Sequence, residues 1–377
     1  MPELRRDPFT RTWVVIAPDR ADRPRHTDRA DGPDHADGPA HPDGPAHPDS
    51  PDRPDSPDRP DRPDSPDRAN GPAHPDCPFC PGREQQTPGE LWRWPTDTTQ
   101  PWQVRVVPNR YPVLASSDQP ARHHTVGAYI SVDGVGSHEV VVESPDHDWD
   151  LADGDDEAVA TVLRAYRART LALRARRPGL VLPFRNHGAA AGTSLTHPHS
   201  QIVATPVVPL RQRRLFDVAR AHYDDHGSCL YTDLTDAELA DGSRVVAVGA
   251  HVVALAPYAA TAPFETWILP LAHQASFADT AAAVLDETAA ILRRLLAALR
   301  SLLGDVPYNY ALISAPNGEE STAYFAWHLR LVPRLVETAG FELGTGIAVN
   351  PVPPEQAAAR LREELDRDSR RGTAAHQ

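Results

Sequence analysis

His138-Glu139-Val140-Val141-Val142-Glu143 opens a stretch of this 377-residue chain whose order of elements is written twice. The apolar run reads as a strand and leads to His147. Val159, Val162, Leu163, Tyr166 and Leu173 then recur near one helical face, predicting a long helix that stops at Pro178-Gly179. Leu180 to Phe184 reads as a short strand, and His197-Pro198-His199 leads into another, Gln201-Ile202-Val203-Ala204. The second passage keeps the order. Phe264-Glu265-Thr266-Trp267-Ile268-Leu269-Pro270 leads to His273, and a helix from near Asp279 carries Val284, Leu285, Ile291, Leu292, Leu295, Leu296 and Leu299. The strand Tyr310-Ala311-Leu312-Ile313 follows, and Ala326-Trp327-His328 opens Leu329-Arg330-Leu331-Val332-Pro333. Two matching strand–helix–strand–strand units predict two similar halves, residues 1–210 and 211–377. One long helix per half predicts an α+β fold in which each half is an antiparallel sheet backed by a helix.

Composition narrows the function. Residues 26–75, rich in Pro-Asp-Ser-Pro-Asp-Arg-type repeats, hold nothing to bury and read as a disordered, extended insertion. The net charge of −14 disfavours a long nucleic acid, whose phosphates would be repelled over most of the surface. No apolar run of about 18 residues predicts a membrane span, and the first residues lack a signal-peptide core. Three cysteines, Cys77, Cys80 and Cys229, do not make a disulfide scaffold and fit a reducing cytoplasm.

His197-Pro198-His199 places two imidazoles two residues apart on an extended segment, with Gln201 two further on, so that all three side chains can share one face. The preceding loop, Asn186-His187-Gly188-Ala189-Ala190-Ala191-Gly192-Thr193-Ser194, is small and glycine-rich. Such a loop brings backbone N–H groups close to a phosphate, and Ser194 adds a hydroxyl. A neutral imidazole beside an anion cradle can attack phosphorus and carry the transferred group. His199 is thus the candidate nucleophile, and Gln201 the candidate donor to a nonbridging oxygen. Cys77-Pro78-Phe79-Cys80 reads as half of a tetrahedral zinc site. With no second C-x₂-C, histidines complete it, the candidates being His123, His124, His147, His187 and His197.

Taken together these residues resemble the galactose-1-phosphate uridylyltransferases of the histidine-triad superfamily. Nearly the whole chain outside the insertion takes part, in the family's order: Asp7-Pro8-Phe9-Thr10 with Trp13-Val14, Ala17-Pro18-Asp19-Arg20-Ala21-Asp22-Arg23-Pro24, Cys77-Pro78-Phe79-Cys80, Val107-Pro108-Asn109-Arg110-Tyr111-Pro112, Glu143-Ser144-Pro145-Asp146-His147, Asn186-His187-Gly188, His197-Pro198-His199-Ser200-Gln201, Pro263-Phe264-Glu265-Thr266 and Asn317-Gly318-Glu319-Glu320. The resemblance implies two histidine-triad-like halves and a ping-pong exchange. UDP-glucose gives its uridylyl group to His199, and galactose 1-phosphate takes it. It further implies that Gln201, Asn186 and Ser194, with Gly192 and Thr193 of the same loop, contact the nucleotide phosphates, and that Asn109 contacts the nucleoside. Arg20 and Arg23 would face phosphate from a neighbouring subunit, making a homodimer. Asn317, Phe341 and Gly346 would shape the acceptor pocket. The Ser-Pro-Asp-His match selects His147, so structural zinc would be held by Cys77, Cys80, His147 and His197.

Some relatives carry a second metal on one glutamate and three histidines. The matching positions here are Leu215, Leu312, Ala326 and His328, so no second metal is expected. His328 repeats His199 without a glycine loop before it, and is expected to be a substrate-side or structural residue. Two further readings compete with the uridylyltransferase. One is a nucleotide-sugar phosphorylase or adenylyltransferase that uses the same histidine with phosphate or another acceptor. The other is a noncatalytic nucleotide-binding or zinc-stabilised interaction protein, which an intact His199 and Gln201 disfavour.

Overall fold

A computed structural model describes residues 2–20, 77–117, 119–176 and 179–374. The expected insertion at 26–75 and Arg23 lie outside the described residues.

The first half runs β1 (Glu3–Arg6), β2 (Trp13–Ile16), β3 (Trp92–Trp94), β4 (Val104–Pro108), β5 (His123–Val126), β6 (Tyr129–Val132) and β7 (Ser137–Val142). Helix α1 (Asp156–Arg174), β8 (Leu180–His187) and β9 (His199–Thr205) follow. The chain continues through α2 (Leu210–His226), α3 (Leu230–Asp241), β10 (Val245–Val248), β11 (Val252–Leu255) and β12 (Thr266–Pro270). It ends with α4 (Ala282–Leu303), β13 (Tyr308–Ile313), β14 (His328–Pro333), α5 (Gly340–Thr345), β15 (Ala348–Asn350) and α6 (Pro354–Ala374). The fold is α+β, as the repeat predicts.

Ten strands form one antiparallel sheet in the order β10-β11-β12-β14-β13-β8-β9-β7-β4-β3. The order reads alike outward from its centre: β13-β14-β12-β11-β10 one way, β8-β9-β7-β4-β3 the other. The two repeats therefore do not close as separate sheets. They join edge to edge through β8 and β13, where Asn186 pairs with Asn309 and Arg185 with Tyr310. Each half presents a bare strand edge at this point, and joining satisfies the backbone groups of both. A second, three-stranded sheet sets β15 parallel to β2, so the described N-terminal residues pack on the second half. Phe9 packs there against Tyr231 and Trp267, its ring tilted to both.

Period-2 alternation gives the large sheet two faces. On one, Val141, Val181, Ile202 and Ala204 pack with Val159, Val162, Leu163 and Tyr166 of α1, and the same core continues through Leu285, Leu292, Leu295 and Leu299 of α4. Each such side chain, fully buried, contributes about 1.5–3 kcal/mol. Asp155 caps α1 by accepting from the Ala158 N–H at 2.7 Å. The two helices are clamped by Arg164–Asp286 and Arg293–Asp156 pairs, and the Tyr166 and Tyr310 hydroxyls meet at 2.6 Å. With its helix side sealed, the first half can carry polar chemistry on the other face alone. There Val107, Val140 and Val142 pack with Cys77, Phe79, Cys80 and Trp102.

Candidate active site and metal centre

Cys77 and Cys80 lie on a turn, and the chain approaching β9 brings His197 over them. The His197 Nδ1 sits 3.6 Å from Cys77 Sγ and 3.7 Å from Cys80 Sγ. His147 Nδ1 lies 3.5 Å from Cys80 Sγ and 3.2 Å from His197 Nδ1. The four ligand atoms lie within 4.8 Å of one another, a group that could hold a metal ion such as zinc. Zinc bonds of about 2.3 Å to sulfur and about 2.0–2.1 Å to nitrogen at tetrahedral angles put S···N near about 3.6 Å and N···N near about 3.4 Å. The observed spacings fit that geometry. The rings are also oriented for it. His197 Nε2 donates to the Ser144 carbonyl at 2.9 Å, and His147 Nε2 meets Thr196 Oγ1 at 3.0 Å, so each Nδ1 is turned inward. Burial pushes the His197 imidazole down to about 4, which keeps it neutral and able to ligate. His123 and His124, the other candidates by type, sit on exposed β5 away from this group. His187 is bound instead to Asp305, at 2.8 Å.

His199 opens β9. Its Nδ1 donates to the His197 carbonyl at 2.8 Å, so Nε2 carries the lone pair. Burial lowers the His199 pKa, favouring this neutral form. Phe79 of the cysteine turn lies against the ring, with centroids 5.6 Å apart. The metal group and the candidate nucleophile thus share a backbone: the carbonyl that fixes the His199 tautomer belongs to His197. Below the strand, Arg185 pairs with buried Glu143 at 2.9 Å and reaches the Tyr308 hydroxyl.

The strand register gathers other expected residues. Phe184 faces Gln201 across β8 and β9, and two residues on, the same register sets Asn186 opposite His199. Antiparallel partners share a face, so Asn186, His199 and Gln201 do. Gly188 and Gly192 hold positive φ of 79° and 91°, enclosing a short 3₁₀ turn, Ala189–Ala191. The Gly192 N–H is used within the turn, on the Ala189 carbonyl at 3.0 Å; Gly192 and Ser194 themselves are exposed. Thr193 Oγ1 donates to the Leu195 carbonyl at 3.2 Å. Asn109 follows β4 and lies 3.1 Å from His138 Nε2, and His138 in turn lies 2.7 Å from Gln201 Oε1.

Other expected residues lie on different elements of the described chain. Arg20 is exposed at the end of a 3₁₀ turn after β2. The Asn317 backbone bonds Gly179, just before β8, about 23 Å along the strand from Asn186 at about 3.3 Å per residue. Phe341 is half exposed on α5, whose left-handed C-cap is Gly346. Two residues on the active face escaped the sequence reading, His138 and Asn309. His138 is a polar residue just ahead of the apolar run Val140-Val141-Val142, and Asn309 breaks the apolar run Tyr308-Asn309-Tyr310. Each is a polar residue where a strand has no packing need for one, a signal present in the sequence but common in strands of every kind.

The second half repeats the frame with other chemistry. His328 Nδ1 bonds the Ala326 carbonyl, as His199 bonds His197. Yet His328 is fully buried, stacked between Trp267 and Tyr231, and its Nε2 has no hydrogen-bond partner among the described residues. The register puts Ile313 opposite it, where the first half has Asn186. Gln201 is matched by Arg330, which holds Glu265 at 2.6 Å where the first half has His138. The adjoining cavity, lined by Asp7, Arg211, Glu265, His328 and Arg330, measures about 20 Å³, room for a water and not a nucleotide. Leu215, Leu312 and Ala326 are buried apolar residues here.

Family models match both halves of the chain. Residues 1–209 match the galactose-1-phosphate uridyl transferase N-terminal domain and residues 216–372 its C-terminal domain. The chain belongs to the galactose-1-phosphate uridyl transferase family. Among its family relatives, an ADP-glucose phosphorylase of Arabidopsis thaliana is 33% identical over 367 residues, covering 96% of this chain and 93% of the relative. A galactose-1-phosphate uridylyltransferase of Thermotoga maritima is 28% identical over 297 residues, 76% of this chain and 89% of the relative. The crystal structure of the Arabidopsis thaliana ADP-glucose phosphorylase with bound ADP-glucose superposes with a TM-score of 0.75, at 31% identity, over 96% of this chain and 99% of that one. A uridylyltransferase structure gives 0.67 at 31% identity, over 80% and 95%. The chain is thus a nucleotidyltransferase of this family. No described helix is long and apolar enough to cross a membrane.

Proposed function

We propose that the protein transfers a nucleotidyl group from a nucleotide sugar through His199, with inorganic phosphate as the acceptor and ADP-glucose as the donor. The observation that carries the chemistry is the His199 ring: Nδ1 tied to the His197 carbonyl, Nε2 free to attack. The near end-to-end similarity to an ADP-glucose phosphorylase supports the donor and acceptor. Nε2 attacks the α-phosphorus, a P–N bond forms, and the bond from that phosphorus to the bridging oxygen breaks, releasing glucose 1-phosphate. A phosphate oxygen then attacks the adenylyl-histidine, the P–N electron pair returns to Nε2, and ADP leaves. Gln201, Asn186 and Ser194 would contact the nucleotide phosphates, beside Gly192 and Thr193. Asn109 would contact the nucleoside. Asn317, Phe341 and Gly346 would serve the acceptor side, and Arg20 and Arg23 would reach phosphate from a partner subunit of a homodimer.

Zinc would be held by Cys77, Cys80, His147 and His197. With four protein ligands and no open position it would supply no Lewis-acid chemistry and would brace the turn carrying Phe79 against β9. The residues around His199 do the rest: the His197 carbonyl orients the nucleophile, and burial keeps it unprotonated.

A second reading, uridylyl exchange between UDP-glucose and galactose 1-phosphate, is supported by the uridylyltransferases among the relatives. Intact mass after incubation with ADP-glucose or UDP-glucose separates the two. Adenylylation discharged by phosphate is the expected result. A uridylyl adduct discharged by galactose 1-phosphate alone would replace the phosphorylase by the uridylyltransferase, and no adduct with either donor would overturn the covalent mechanism.

A further inference from the structure

Two primary amides flank His199, and an amide can present either its oxygen or its NH₂. Only the NH₂ suits a phosphoryl oxygen; the carbonyl would repel it. The structure shows what decides the choice for each. Asn309, on β13 of the second half, lies with Nδ2 2.9 Å from the Ala191 carbonyl and 2.8 Å from Asn186 Oδ1. A backbone carbonyl can only accept, so the Asn309 atom facing it is the NH₂. That NH₂ in turn requires oxygen from Asn186. The Asn186 NH₂ is thereby turned the other way, towards Gly192, where an added Cβ would stand 3.8 Å from Nδ2.

Gln201 is set by a parallel chain. The backbone N–H of Val113 points at His138 Nδ1, 3.2 Å away, and can only donate. His138 Nδ1 therefore accepts, and in the neutral ring the proton sits on Nε2. His138 Nε2–H then donates to Gln201 Oε1 at 2.7 Å. The Asn109 NH₂ also lies 3.1 Å from that Nε2, because Asn109 Oδ1 is occupied by the Tyr111 N–H at 2.8 Å; with Nε2 protonated, this contact is between two donors and is not a hydrogen bond. The Gln201 oxygen is held by His138, and its NH₂ is left for the space beside His199. Asn109, His138, Gln201, His199, Asn186 and Asn309 lie on one face of four adjacent strands and the turn after β4, so both chains end at the same place.

We propose that His138 and Asn309 are positioning residues for nucleotidyl transfer: each holds the oxygen of an amide, so that Gln201 and Asn186 both offer hydrogen-bond donors to the nonbridging oxygens of the phosphorus that His199 attacks. This rests on the proposed function for the identity of the anion, though not for the orientation of the amides. Asn309 makes the second half a working part of the first half's site. The internal repeat does not supply it, because the symmetry-related partner of Asn186 is Ile313.

The test combines kinetics with nitrogen NMR. His138→Leu and Asn309→Asp should each slow adenylyl-histidine formation about ten- to a hundredfold, the range for losing an oriented donor. His138→Gln, whose amide can still donate to Gln201, should recover most of the rate. ADP-glucose carrying sulfur at one nonbridging α-oxygen exists as two diastereomers. The wild type should prefer one of them, and both variants should lose that preference, which a merely destabilised fold would retain. Slower transfer with the preference intact would overturn the proposal. Independently of any turnover, the ¹⁵N shifts of His138 in the wild type should show Nε2 protonated and Nδ1 accepting; the opposite tautomer would overturn it. If the wild type forms no adduct from any nucleotide sugar, the proposed function fails, and the His138 tautomer still decides the orientation.

Discussion

At the scale of single residues the site is an exercise in keeping imidazoles neutral and fixing which nitrogen is free. His197 and His199 stand two apart, yet opposite nitrogens are presented: Nδ1 of His197 towards the cysteines, Nε2 of His199 outward. Backbone carbonyls, at Ser144 and at His197, make that difference. His199→Ala should abolish the nucleotidyl adduct seen by intact mass and cut transfer by about 10³-fold or more, as expected when a covalent nucleophile is lost. An adduct persisting on the variant would place the nucleophile elsewhere. Cys77→Ser should lower the bound zinc measured by elemental analysis and, because the Phe79 turn rests on His199, lower the transfer rate too. Zinc equal to the wild type would remove Cys77 from the ligand set. The candidate nucleophile was legible in the sequence because His-Pro-His-Ser-Gln after a glycine loop is a dense local motif. His138 and Asn309 were not, because their partners lie 63 and 123 residues away.

At the scale of elements, the β8–β13 junction is the feature that matters most. It carries Asn186 against Asn309, and just beyond it the chain turns at Gly188 with φ of 79°. A Cβ at that position would stand 2.9 Å from Pro307 Cβ, immediately before β13. Gly188→Ala therefore combines a backbone conformation that L residues rarely adopt with a clash across the junction. It should destabilise the protein by about 1–3 kcal/mol, measured by chemical denaturation. The adduct rate should fall with it, since the loop from 188 to 194 is displaced relative to His199. An unchanged denaturation midpoint would mean that the junction yields more readily than its close packing indicates. The repeat announced both halves and their long helices, placing α1 and α4 within a few residues. That they meet through β8 and β13 rested on strand edges, which hydrophobic periodicity does not mark.

At the scale of the molecule, the two halves have the same frame and opposite uses. In the second, Glu265 is buried, held by Arg330, Trp267 and Thr261, and its pKa falls to about 2 despite burial, chiefly through the Arg330 charge. His328, sealed between aromatic rings, is pushed down to about 3 by burial. Both shifts act in one direction. The unfolded chain protonates histidine near about 6.5 and glutamate near about 4.3, whereas the folded chain resists both until far lower pH. Stability should therefore decline as pH falls from about 6.5, and more steeply below about 4.5. In His328→Phe, which keeps the stacking, the decline between about 6.5 and about 4.5 should flatten by one proton's worth of slope. A slope equal to the wild type would show that His328 does not resist protonation. Glu265→Gln leaves buried Arg330 without its counter-charge and should cost about 3–5 kcal/mol at neutral pH.

Local order in the sequence determined that the chain is α+β, that it repeats, and that a histidine after a glycine loop is its candidate nucleophile. Periodicity and turn chemistry act over a few residues, so a short window contains them. The tertiary structure alone decided that the two repeats share one ten-stranded sheet, that His328 is walled in while His199 is not, and that Asn309 from the second half orients an amide of the first. Those outcomes depend on which edges and faces meet after hundreds of residues of chain, and on hydrogen bonds whose donors and acceptors are assigned only once the partners are in place.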